Sequence, residues 1–228
     1  MDIPALHLAS QEGDKKKVSE LVSQGADLNE LAKNGSTPLI YAAQKNNMEV
    51  VKLLVEAGAD VNTANKLGGT ALNRAAENGN VEMMNYLFDN GAVIGPLALI
   101  VASREGQLEA VKLLVRKGAD VNAVQTWGQS ALMQAAREGN IAIVQFLVRH
   151  GANIKLRDRN GNSALSLANE NEHMEVGMYL RRAGATEDAV KKKPAPAPVD
   201  DDDDDDDSFD DTEIEEADEP VDDEDIDK

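Results

Sequence analysis

A glycine-alanine pair recurs along this chain at Gly25, Gly58, Gly91, Gly118, Gly151 and Gly184, in steps of 33, 33, 27, 33 and 33 residues. A period of that length excludes a single central core. Each unit can bury its apolar side only against the next, and the product is a stack. The clearest unit is Asn34 to Lys66, NGSTPLIYAAQKNNMEVVKLLVEAGADVNTANK. Thr37 offers a hydroxyl to cap a helix, and Pro38 suits the first helical position, where its missing N–H costs nothing. Leu39, Ala42 and Ala43 share one face of this short first helix, and the alanines let a neighbouring unit come close. Asn46 stands where other copies carry Gly13, Gly79, Gly106 or Gly139, residue types that accept a left-handed turn. Glu49 to Glu56 read as a second helix, apolar over so much of its circumference that it must be packed on several sides. Gly58 ends it, and Asp60 to Gly68 hold the turn-forming residues of a hairpin finger aimed at the next unit.

Thr37-Pro38-Leu39-Ile40-Tyr41-Ala42, followed by Val50 to Val55 and by Gly58-Ala59-Asp60-Val61-Asn62, resembles the ankyrin repeat family; only the histidine of its T-P-L-H-x-A signature is absent. The resemblance implies an all-α fold, an ankyrin-repeat solenoid of stacked helix-turn-helix units with hairpin fingers. Six repeats fall at about 2–33, 34–66, 67–95, 96–126, 127–159 and 160–190.

The end copies differ from the inner ones. Lys15-Lys16-Lys17 opens the second helix of the first copy, where inner copies are apolar. The expectation is a polar cap over an exposed end, with a basic ligand patch as the alternative. The sixth copy turns polar at Asn169 to His173 and ends in Arg181-Arg182, as a C-terminal cap should. Between the third and fourth copies six residues are missing after Gly91-Ala92, so this finger is lost or much shortened. The fourth copy is expected to restart with Gly95 as cap and Pro96 at the first helical position. The gap is either a tolerated loop deletion or a notch in the binding face.

Charge separates off the C-terminal part. Residues 191–228 contain 4 Lys+Arg and 20 Asp+Glu, a net −16 out of −19 for the whole chain. Residues 191–199, KKKPAPAPV, read as an extended Pro/Lys linker, and 200–228, with eight consecutive aspartates, as a disordered acidic tail. The tail is long enough to reach back toward Arg137, Arg157 and Arg159 and guard the groove. Like charges repel, so it does not bind nucleic acid directly. Ser208 and Thr212 each precede an acidic residue by three positions, a weak kinase pattern. There is no cysteine, secretory signal or membrane-length apolar run, and an intracellular, cytoplasmic monomer without membrane contact is expected. Lys191-Lys192-Lys193 leaves the nucleus open as a location.

No phosphate loop, H-E-x-x-H or nucleophile-elbow string occurs. The three histidines, His7, His150 and His173, fall at unrelated places in their repeats and give no ligand spacing. Neither an enzyme nor a cofactor or metal site is expected. The family resemblance implies a binding protein that grips partner proteins with its fingers and first helices. Positions that vary between copies are the candidates, because they are free of stacking duty. At the finger tips these are Lys66, Leu67, Trp127 with Gln125, Thr126 and Gln129, then Arg157 and Arg159; on first-helix ends they include Arg104 and Arg137. The single tryptophan, Trp127, is the leading anchor, since Trp and Arg are enriched among interface hot spots; the alternative is that it lies flat over the next finger. For Arg104 and Arg137 the plain reading is a solvated surface. Met83, Met84, Met174 and Met178 read as core filler on second helices. The expected function is a non-catalytic protein-interaction adaptor, the alternative a chaperone or decoy for basic proteins that binds through the acidic tail.

Overall fold

The computed structural model describes residues 4–186; the linker, the acidic tail and the functions read into them lie outside this range. Within it the chain forms six helix pairs: α1 (Ala5–Glu12) with α2 (Lys15–Ser23), α3 (Pro38–Gln44) with α4 (Met48–Glu56), α5 (Ala71–Glu77) with α6 (Val81–Asp89), α7 (Pro96–Arg104) with α8 (Leu108–Arg116), α9 (Ala131–Arg137) with α10 (Ile141–Arg149), and α11 (Ala164–Glu170) with α12 (Met174–Arg182). The odd-numbered helices pack on one another in sequence, and α2 on α4, α6 on α8, α8 on α10 and α10 on α12 continue the stack behind them. Small side chains permit this. Ala42, Ala43, Ala75, Ala76, Ala102, Ala135, Ala136 and Ala168 are fully buried between first helices, while Leu54, Met83, Met84, Leu87, Leu114 and Leu147 fill the second row.

The predicted caps form. The hydroxyl of Thr37 accepts from the Ile40 N–H at 3.2 Å, and Thr70, Ser130 and Ser163 cap α5, α9 and α11 in the same way. Asn46 takes the left-handed turn with φ of 63°, and so does Glu172 with 61°, a non-glycine residue that the sequence pattern did not single out. Gly95 and Pro96 open α7 as expected. Lys15, Lys16 and Lys17 are exposed on α2, which buries only Val18, and Lys15 pairs with Glu49 of the next repeat at 2.8 Å.

One expectation needs correction. Met174 and Met178 are not core filler: they are 77 and 50 % exposed, α12 being the last described helix, with no repeat after it among the described residues. His173, at a place unrelated to those of His7 and His150, has a structural duty of its own. It occupies the position just before a second helix, held elsewhere by Asn47, Asn80, Gln107 and Asn140; Asn80 donates to the Asn46 side chain, and the others donate to a backbone carbonyl near the end of the first helix of the repeat before. The bonds are Asn47 Nδ2 to Ser10 O at 3.0 Å, Gln107 Nε2 to Glu77 O at 3.3 Å, Asn140 Nδ2 to Ser103 O at 3.1 Å and His173 Nε2 to Arg137 O at 2.9 Å. A Cβ on Gly139, itself left-handed, would lie 2.5 Å from the His173 ring, so the clamp also fixes a glycine opposite it. His7 is fully buried, with Nε2 at 2.9 Å from Glu30 O and 3.2 Å from Ser36 O, the structural role its signature position suggests.

Four fingers share one turn. Gly35, Gly68, Gly128 and Gly161 each donate to the carbonyl three residues earlier (Ala32, Asn65, Gln125, Asp158), at 2.7 to 2.9 Å. All four glycines have positive φ, and the geometry is the three-residue hairpin loop in which a type I turn is followed by a left-handed glycine. At the base of the second finger Asp60 accepts from the Asn62 N–H at 2.9 Å and the Thr63 hydroxyl at 2.8 Å, and these bonds hold its carboxyl below its ordinary pKa. A depressed carboxylate stabilises the fold fully above the ordinary value and loses that contribution as pH falls through the lower, folded-state value. Asp60→Ala is therefore expected to cost a few tenths of a kcal/mol at pH 7, solvent screening being strong at this site. Urea titrations of the two proteins should converge as pH falls through that lowered, folded-state value.

Candidate partner-binding site

The site arises from the finger that is missing. After Gly91 the chain begins as the other fingers do: Asn62 of the second finger receives the Val93 N–H at 2.8 Å and donates to Gly91 O at 3.0 Å. It then passes from Ile94 straight to the Gly95 cap. α7 has nine residues where α3, α5, α9 and α11 have seven, so the first helix starts two residues early and its added half-turn occupies the base of the vacant place.

The result is a cleft of about 770 Å³ between the second and fourth fingers. Lys66 and Leu67 stand on one wall and Val124 to Trp127 on the other, with Gly95, Pro96 and Leu97 as its floor. Leu67 is 84 % exposed, Trp127 63 % and Val124 45 %, an unusual concentration of large apolar side chains in water for a domain whose other apolar residues are mostly packed. The lining contains one cation, Lys66, and no carboxylate. Arg159, from the fifth finger, holds its guanidinium 5.7 Å from the centre of the Trp127 ring. One face of the tryptophan thus meets the next finger, which supplies a cation to it, while the side chain as a whole stays 63 % exposed.

The structure thereby brings together Lys66, Leu67, Gln125, Thr126 and Trp127, with Arg159 beside them. It does not bring Gln129, Arg157, Arg104 or Arg137 to the cleft. Gln129 is half-buried and braces the fourth finger, accepting from Gln125 Nε2 at 2.7 Å and Gln134 Nε2 at 2.8 Å. Arg157 donates to Gly161 O at 2.9 Å within its own finger. Arg104 is tied to Glu77 at 3.1 Å and Glu105 at 2.7 Å, linking the ends of α5 and α7, and Glu77 also pairs with Arg74 at 2.7 Å. Arg137 is exposed at the end of α9, away from the cleft lining. Val124 and Leu97 were missed in the sequence. Val124 gave no signal, since Leu31 and Ala64 hold its place in other copies; Leu97 showed only as a leucine in place of a helix cap.

Among the described residues no group of three or more His, Asp or Glu is placed to hold a metal ion, and no helix is long and apolar enough to cross a membrane. The site offers apolar surface, one ammonium group, the hydroxyls of Thr70 and Thr126, the amides of Asn73 and Gln125, and backbone polar groups.

Comparison with known proteins adds the family. The family model for ankyrin repeats matches residues 6–96 and again 99–190, so the break between the two matches falls at the start of α7. A search of curated proteins returned no match. Among solved structures, the chain is similar to one in the structure of the predatory endopeptidase Bd0816 from Bdellovibrio bacteriovorus in complex with immunity protein Bd3460, at 30 % identity and a TM-score of 0.68, covering 80 % of this chain and 99 % of that one. It is likewise similar to an ankyrin repeat domain from Acinetobacter baumannii, at 31 % identity and a TM-score of 0.66, covering 79 % of this chain and 98 % of that one. With repeat period, helix pairs, finger turns and both segments of the family model in agreement, the chain belongs to the ankyrin repeat family.

Proposed function

We propose that this protein is a non-catalytic adaptor that binds a folded partner protein through its finger side, with the cleft between the second and fourth fingers as the centre of the contact. The observation that carries the reading is the convergence of Leu67, Val124 and Trp127, all exposed, on a vacancy one finger wide. Exposed apolar side chains around a concavity are what a buried hot spot requires of the free protein. Ankyrin repeats in general mediate protein interaction, and the similarity to a chain from an endopeptidase–immunity protein complex favours an enzyme as the kind of partner held. The adaptor is read as a monomer inside the cell, in keeping with its lack of cysteine.

Restoring the finger tests this. A full-length variant with Gly95-Pro96 replaced by a copy of residues 62–69 restores the 33-residue step and refills the cleft. Proteins recovered from the source cells by wild type and by this variant are compared quantitatively. The reading expects the principal partner to be lost from the variant at unchanged thermal stability or better; equal recovery would mean that the cleft is not the contact.

A further inference from the structure

We infer that the cleft accepts a turn loop of the partner protein, which takes the place of the missing finger: its backbone bridges Leu67 and Thr126, and an acidic side chain of the loop faces Lys66. This rests on the reading above that the cleft is the partner site.

The inference comes from the register of the finger row. Where two fingers are adjacent, the N–H of the second turn residue donates to the carbonyl of the third turn residue of the finger before it. Lys66 donates in this way to Asn34 O at 3.2 Å, and Arg159 to Trp127 O at 3.0 Å. Carried across the gap, the same register assigns the Leu67 carbonyl and the Thr126 N–H to the absent finger. Neither group has a protein partner among the described residues. Both residues are exposed, so water serves these groups in the free protein. A partner that covers the cleft expels that water and must then supply one donor and one acceptor, or bind several times more weakly for each group left unmet.

The shape of the vacancy selects a turn. An extended strand entering along the finger direction would run into the floor made by Gly95 and Pro96, whereas a hairpin tip can enter and return. In the intact fingers the donor and acceptor belong to two consecutive residues of one turn, so a single guest turn satisfies both walls. The walls specify its side chains: an apolar one for the space bounded by Leu67, Leu97, Val124 and Trp127, and an acidic one for Lys66, since the lining holds no carboxylate to repel it.

The test uses the full chain and a backbone-cyclised hairpin peptide with the turn Asn-Asp-Leu-Gly-Gly, which is the tip Asn65 to Gly69 with aspartate for its lysine. Trp127 is the sole tryptophan and stands on the cleft wall, so its emission reports occupancy. The expected result is a saturable blue shift. Thr126→Pro removes the N–H at the second position of a type I turn, where proline's fixed φ fits and no internal hydrogen bond is broken. Its melting temperature should match that of the wild type, and its affinity for the peptide should fall about tenfold. Thr126→Ala, which retains the N–H, should bind within about twofold of wild type. Equal affinities of the proline and alanine variants would overturn the inference. So would the absence of a shift with millimolar peptide, equal binding of the linear peptide (an extended occupant), or a shift that grows with protein concentration alone (a second copy as occupant). If Leu67→Ser weakens the peptide but Thr126→Pro does not, finger replacement fails while the cleft remains the contact.

Discussion

Trp127→Ala will weaken binding of a partner held through the cleft by at least about thirtyfold, or ~2 kcal/mol, the level at which an interface residue counts as a hot spot. The ring is already ordered by the Arg159 guanidinium on its face, so little conformational freedom is lost when a partner covers it. It is 63 % exposed, so its burial on binding is a gain of apolar area that the free protein has not yet realised. For the same reason the substitution hardly touches the fold. Loss of an exposed side chain outside the core shifts stability by no more than about 0.5 kcal/mol. Calorimetric titration with the partner recovered by wild type, beside thermal melts of both proteins, separates the two effects. Arg137→Ala is the control: exposed and outside the cleft, it should leave affinity within about twofold. An alanine variant at Trp127 that bound as tightly as wild type would remove the tryptophan, and with it the cleft, from the interface.

Leu114→Ala will act in the opposite sense, on the fold and not on the contact. Leu114 is fully buried in α8, between neighbouring repeats on both sides, and truncating such a side chain costs about 2–5 kcal/mol, set by how far the surroundings can close the cavity. In a solenoid each repeat touches only its neighbours, so the damage should be graded. Amide hydrogen exchange should accelerate most in α7 to α10 and least in α1 and α2. A uniform loss of protection along the whole stack would show that the six repeats unfold as one cooperative block, and would contradict nearest-neighbour stability.

The scaffold was legible in the sequence because its causes are local. Thr37 and Pro38 start a helix wherever they stand, Asn46 takes a left-handed turn for reasons within its own residue, and Gly95-Pro96 announces a restart even where the preceding finger is absent. The cleft was half legible. The missing residues could be counted, and Leu67 and Trp127 noticed as unusual tips, but nothing local says that two fingers so distant in sequence face one another across the gap. Side chains with a choice of partners were least legible. Arg104 and Gln129 vary between copies as a binding residue would, yet each is engaged internally, by Glu77 and by Gln134, so variation alone does not separate a recognition group from a private brace. His173 was obscured by its chemistry: a histidine suggests ligation or proton transfer, and its place in the series Asn47, Gln107, Asn140 is visible only when the ring is read as an N–H donor. Met174 and Met178 were misassigned because apolar periodicity tells which side of a helix is apolar, and not whether a neighbour exists to cover it.

That series of clamps runs one way. The side chain always belongs to the later repeat and the carbonyl to the earlier one. During synthesis the earlier repeats emerge first and wait, with their acceptor carbonyls complete, while each new repeat arrives at about 5–20 residues per second. Through these clamps each repeat fastens itself to the one already made, while Asn62 and Asn122 reach the other way to Gly91 O and Gly151 O, so this part of the stack can be zipped up in the order in which the ribosome delivers it.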